Sequence, residues 1–168
     1  PVIVDETADL AAAAAKITAS KTFDNATSCS SENALVVVDE IYDAFVQAMA
    51  QEGGALVADE VPIIAKLWPD GHLNRAVIAQ DADKMLDALD MVGKVPPTPK
   101  FLAVETSGIG AYHPLSGSKL SLFLSLYRAP AFTAANPLPR PSPHPHTARH
   151  SGGLPHSPLP PARLRLRP

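Results

Sequence analysis

Ala34-Leu35-Val36-Val37-Val38, followed at once by Asp39-Glu40, decides the fold. An unbroken, β-branched apolar run of this length reads as an interior strand buried on both faces, the pattern of a parallel sheet. Asp39-Glu40 opens a helix with Ile41, Tyr42, Phe45, Val46 and Met49 on one face, ended by Gly53-Gly54. On the other side, residues 8–21 favour helix, with Ala11 to Ala15 unbroken and a buried stripe at Leu10, Ala14 and Ile17. Asp5 or Thr7 can cap it, and Val2-Ile3-Val4 before it reads as a short buried strand. Strand, helix, strand, helix in this rhythm implies βαβ units, hence an α/β class with a parallel sheet and right-handed crossovers.

Downstream, Asp59 to Leu67 reads as a shorter helix stopped by the turn Pro69-Asp70-Gly71, with Trp68 as a packing anchor. Residues 81–91 have helical spacing at Met85, Leu86, Leu89 and Met91, and their acids form a solvated face rather than a metal site. Val95-Pro96-Pro97-Thr98-Pro99 is a rigid connector. Phe101 to Val104 and Leu122 to Tyr127 read as two more strands.

Charge divides the 168 residues into two parts. Before Ala129 nine Lys/Arg stand against seventeen Asp/Glu; from there on come five arginines and no acid. An acidic body gives no reason to expect nucleic-acid binding. From Pro130 the chain holds eleven prolines and four histidines, a composition that can neither pair its backbone nor bury a core, so residues 129–168 are expected to be disordered. A GC-rich gene read out of frame from about codon 130 would produce the same bias. The expected division is therefore an ordered body, 1–128, and this tail. A start at Pro1 without Met or signal-like features reads as the middle of a polypeptide, and no run is long enough to span a membrane.

The single cysteine, Cys29, excludes an internal disulfide and suits a reducing, cytoplasmic setting. It lies in Asn25-Ala26-Thr27-Ser28-Cys29-Ser30-Ser31. A thiol in a small, polar loop has room for a substrate and backbone donors for a developing oxyanion. The alternative is a buried, inert thiol, but such a residue sits among Val, Leu and Ala, not among Ser and Thr.

Residues 21–33, which contain this loop, resemble the nucleophile segment of the aldehyde dehydrogenase superfamily, and most of all its CoA-acylating branch, which includes acetaldehyde and sulfoacetaldehyde dehydrogenases. Residues 67–77 (Leu-Trp-Pro-Asp-Gly-His-Leu-Asn-Arg-Ala-Val) and 113–121 (His-Pro-Leu-Ser-Gly-Ser-Lys-Leu-Ser) are similar to the same branch. The resemblance runs from Pro1 to about Arg128 and implies part of that family's catalytic domain. It implies that the Cys29 thiolate adds to an aldehyde carbon, that NAD or NADP accepts a hydride, and that CoA takes the acyl group from the resulting thioester. It implies an oxyanion hole formed by the Cys29 N–H with an Asn from an earlier, absent part of the protein, and homo-oligomers for full-length relatives. Asn25, Thr27 and Ser28 shape the loop.

Two features depart from the family. Its usual Glu-Lys-Leu-Ser-Pro, whose Glu holds the nicotinamide ribose, is here Ser118-Lys119-Leu120-Ser121-Leu122. The missing carboxylate removes a charge-assisted hydrogen bond of about 1.5–3 kcal/mol. No dinucleotide-binding half is present, since Gly108-Ile109-Gly110 lacks a third Gly and a following helix. With the cofactor cleft incomplete, this chain alone is expected to be inactive. His144, His146, His150 and His156 lack the preorganised geometry a metal site needs. Pro158-Leu159-Pro160-Pro161-Ala162-Arg163 matches a PxxPxR pattern that proline-rich tracts generate by composition. The competing reading is an inactive remnant, or a non-enzymatic protein that binds through the proline-rich tail.

Overall fold

The computed structural model describes residues 1–131. They form a five-stranded, wholly parallel sheet with strands Val2–Val4 (β1), Ala34–Val38 (β2), Gly54–Val57 (β3), Phe101–Glu105 (β4) and Phe123–Ala129 (β5). Their spatial order is β1-β2-β5-β4-β3. The helices are Leu10–Thr22 (α1), Tyr42–Gln51 (α2), Glu60–Leu67 (α3) and Ala82–Ala88 (α4). This is the α/β parallel-sheet class read from the β-branched run.

Burial explains why these residues take these places. In β2, Leu35, Val36, Val37 and Val38 are all buried; Leu35 and Val37 join the main core, while Val36 packs with Tyr127 and Ala129 in a separate cluster. Alternate residues of a strand face opposite sides, so both faces of β2 are covered. α1 buries Ala13, Ala14 and Ile17, and its N-cap Asp9 accepts from the Ala12 N–H at 3.0 Å. α2 buries Tyr42, Phe45 and Met49.

Arg128, near the end of β5, closes the C-terminal edge of the sheet. Its guanidinium lies 3.8 Å from the centre of the Tyr42 ring and pairs with Asp39 at 2.8 Å and Asp43 at 3.0 Å. That combination holds the central strand against the β2–α2 junction.

Three boundaries differ from the sequence reading. β3 was not foreseen, because Gly53-Gly54 reads as a helix stop; Gly53 has φ +97°, and Gly54 already pairs with Phe101. The segment expected to be helical over 81–91 is helical only over Ala82–Ala88. Asp90 turns left-handed at φ +51°, and the Met91 N–H reaches back to the Leu86 carbonyl at 2.8 Å, a helix-ending arrangement. β5 runs to Ala129, one residue past the expected boundary at 128. The expectations for the tail, including disorder, the four histidines and the PxxPxR run, fall on residues 132–168, outside the described residues.

Candidate functional site

The loop between α1 and β2 is built on backbone conformations that few residues accept. Asp24, Asn25 and Ala26 have φ of 49°, 49° and 60°, three left-handed residues in succession. Asn and Asp tolerate this region because their side chains bond locally. The Asn25 amide donates to Asp81 at 3.0 Å, and Thr27 Oγ1 donates to the Asp24 carbonyl at 2.8 Å. A tight turn follows, closed by the Ser31 N–H donating to the Ser28 carbonyl at 3.0 Å, with Ser28 Oγ and Ser30 Oγ 2.7 Å apart.

Cys29 is the second residue of that turn, and it is exposed. Its backbone N–H donates to no acceptor among the described residues. An accessible sulfur beside an uncommitted N–H is what nucleophilic addition to a carbonyl requires: one group to attack and one to receive the oxyanion.

Asn33 ends the loop and joins it to a second one. Its side-chain amide donates to the Gly117 carbonyl. Its Oδ1 accepts from the Lys119 N–H at 3.2 Å, and its carbonyl accepts from the Ser125 N–H at 3.2 Å. The loop so held carries Ser118, which is exposed. β2 and β5 are neighbours, so the two loops that precede them meet at the N-terminal edge of the sheet. Open α/β sheets usually place ligands at the opposite, C-terminal edge.

Beneath these loops lie two lysines that sequence reasoning missed. Lys21 is buried, and its Nζ donates to the Glu32 carbonyl at 2.8 Å; burial lowers its pKa to about 8, against an opposing pull from the Glu32 carboxylate. Lys119 is fully buried among the carbonyls of Leu115, Gly117 and Asn33; burial, with a smaller push from the Lys21 charge, lowers its pKa to about 7. A signal for Lys21 existed, since it lies seven residues past Ala14 on the buried stripe of α1. Lys119 had none, as lysine is the residue type least expected inside.

The other candidate features lie elsewhere. Gly108 is no phosphate binder: a Cβ there would meet His113 Nδ1 at 1.9 Å, so the glycine makes room for the imidazole. The one helical segment that follows it among the described residues is the three-residue turn Pro114–Ser116. Among the described residues, then, no glycine-rich cradle fits a dinucleotide, and no group of three or more His, Cys, Asp or Glu could hold a metal ion. A groove of about 240 Å³ lined by Val57, Pro62, Ile63, Lys66, Met91 and Lys94 sits where β3 ends, at the edge of the sheet opposite Cys29. No helix of the described residues is long and apolar enough to cross a membrane.

Known proteins similar to this chain point to one family. Residues 1–61 match the aldehyde dehydrogenase family. The chain is 44% identical over 135 residues to a sulfoacetaldehyde dehydrogenase (acylating) of Cupriavidus necator, covering 79% of this chain and 27% of that protein. It is 35% identical over 130 residues to an acetaldehyde dehydrogenase (acetylating) of Escherichia coli, covering 73% and 27% respectively. Among solved structures, an acetylating aldehyde dehydrogenase from Geobacillus thermoglucosidasius superposes with a TM-score of 0.75 at 29% identity, over 81% of this chain and 30% of that one. A propionaldehyde dehydrogenase from Clostridium phytofermentans gives 0.70 at 30% identity, over 80% and 31%. The chain thus spans less than a third of each of these relatives.

Proposed function

We propose, from the premise that this chain belongs to the aldehyde dehydrogenase family, that it carries the acyl-accepting nucleophile of a CoA-acylating aldehyde dehydrogenase and that Cys29 is that nucleophile. The observation that carries the reading is the exposed Cys29 thiol on a serine-rich turn whose own N–H is uncommitted. In this reading the Cys29 thiolate bonds to the carbonyl carbon of a small aldehyde, and the Cys29 N–H receives the oxygen as it gains charge. NAD or NADP, if bound, would supply the hydride acceptor for oxidising this adduct, and the described residues offer it no glycine-rich cradle. The Cys29 sulfur then holds the acyl group until the thiol of CoA displaces it, which returns the thiolate. Ser118 stands where the resemblance implies a ribose-holding Glu, and its short hydroxyl supplies no charge for that bond. Residues 1–129, to the end of β5, form the catalytic part of a cytoplasmic enzyme that works as a homo-oligomer.

The test needs no cofactor. Full chain incubated with p-nitrophenyl acetate and digested is expected to show one acetyl mass on the Cys29 peptide, absent in Cys29→Ala. An unmodified Cys29 peptide, in protein whose thiol still reacts with iodoacetamide, rejects the assignment. The second reading, an inactive remnant, is favoured by one observation, the exposed Ser118 in place of a carboxylate. Reduced cofactor formed from aldehyde and CoA by the chain alone would exclude it; none is expected, because no described residues build a dinucleotide cradle.

A further inference from the structure

We propose that Lys119 is a positioning residue: its buried ammonium ties the loop that ends at Asn33 to the loop that carries Ser118, so that the nucleophile and the second wall of the site keep one spacing. This rests on the reading of Cys29 as the acyl carrier. Lys119 Nζ lies 2.8 Å from the Leu115 carbonyl, 3.1 Å from the Gly117 carbonyl, and 3.2 and 3.1 Å from the carbonyl and Oδ1 of Asn33. Every neighbour within bonding distance is an acceptor, which suits a group with three donors and no acceptor. The acceptors belong to two loops far apart in sequence, and no carboxylate accompanies them.

A buried ammonium with no counter-ion is costly, and a site that needed only packing would take Leu or Met. What the ammonium supplies that an apolar side chain cannot is a joint for the carbonyls of both loops. Asn33 adds its own bond to Gly117, so the joint is two-sided. Lys21 reinforces it from α1 by holding the carbonyl of the preceding Glu32 at 2.8 Å. The charged groups around the joint are Lys21, from α1, and Glu32, which acts on Lys21. Burial brings Lys119 to about 7, so the joint is sensitive to pH just above neutrality. A neutral amine keeps two donors for those carbonyls, and opening the loops to water would recharge it by binding a proton, so the closed joint gains on the open one as pH rises from about 7 towards 10.5.

Hydrogen exchange on the full chain tests this, with protection corrected for the intrinsic pH dependence of exchange. In Lys119→Met, peptides spanning residues 27–33 and 114–121 are expected to lose protection together, by about tenfold or more, while α2 and β4 keep theirs. In the unsubstituted protein both loops should gain protection between about pH 7 and 9, because the closed joint binds fewer protons than the open one, and Lys119→Met should show no such pH step. Asn33→Asp, which sets a carboxylate against the ammonium, should move the step to higher pH; that variant decides the matter alone if Lys119→Met does not fold. Uniform loss of protection across the sheet, loss in one loop only, or a pH step unmoved in Asn33→Asp would each overturn the proposal. Exchange is read without an acyl donor, so failure of the joint and failure of the nucleophile assignment appear in separate measurements.

Discussion

Gly54 and Phe101 are register partners in the β3–β4 pair, and a Cβ on Gly54 would stand 2.6 Å from Phe101 Cζ. Phe101 is fully buried, so its ring cannot swing clear. Gly54→Ala is therefore expected to destabilise the fold by about 1–3 kcal/mol, the usual cost of forcing an extra methyl into a packed core. Urea denaturation of the two proteins measures it. Equal midpoints would mean that the ring has space the structure does not give it.

Cys29 separates chemistry from stability. Its side chain is exposed, and no hydrogen bond of the described residues involves its thiol. Cys29→Ser should leave the unfolding free energy within about 0.5 kcal/mol, as for surface substitutions in general, while abolishing acetylation by p-nitrophenyl acetate. A loss of more than about 2 kcal/mol would show a sulfur that holds the loop together, because only a short list of buried or strained features produces such values.

The strand at Ala34–Val38 was legible to the residue, because a β-branched run bounded by the polar Asn33 and Asp39 has one simple reading. The polar setting of Cys29 was legible too, and it foretold the exposure of the thiol. β3 was not, since four residues that begin on the second of two glycines carry no period that distinguishes a strand from the end of a turn. The end of α4 was set by the left-handed Asp90, which bonds to Lys66 at 3.1 Å and Lys94 at 2.8 Å, partners its own helix does not contain. Lys119 stayed hidden because its burial depends on carbonyls of residues 33, 115 and 117, which only the sheet order brings together.

Lys21 and Lys119 give stability a distinctive pH dependence. Both have folded pKa values, about 8 and about 7, below the 10.5 of a free lysine. Between those values and 10.5 the unfolded chain binds more protons than the folded one, so unfolding free energy must rise with pH in that window. Below about pH 6 both lysines are charged in both states, and their contribution is flat. For Lys21 alone, the rise between pH 7.5 and 10 should exceed about 1.4 kcal/mol, the equivalent of one pKa unit. Urea unfolding of the unsubstituted protein and Lys21→Met across that range isolates it as a difference of slopes. Identical slopes would place the Lys21 ammonium in water.

Ala26 completes the left-handed run ahead of the nucleophile turn, at φ +60°, with its methyl buried. An L-residue there costs about 1–2 kcal/mol. Glycine removes that strain but forfeits one buried methyl, about 0.8 kcal/mol, and adds about 0.5–1 kcal/mol of unfolded-chain freedom. The balance makes Ala26→Gly nearly neutral. Valine moves every contribution the other way, because its branched Cβ is least tolerated at positive φ and its extra methyls enter a filled site. Ala26→Val should therefore lose more than about 2 kcal/mol, as strain and overpacking add. Chemical denaturation gives both numbers. If valine proved as stable as glycine, the loop would have to reach Cys29 by another backbone path, and the turn that presents the thiol would lose its foundation.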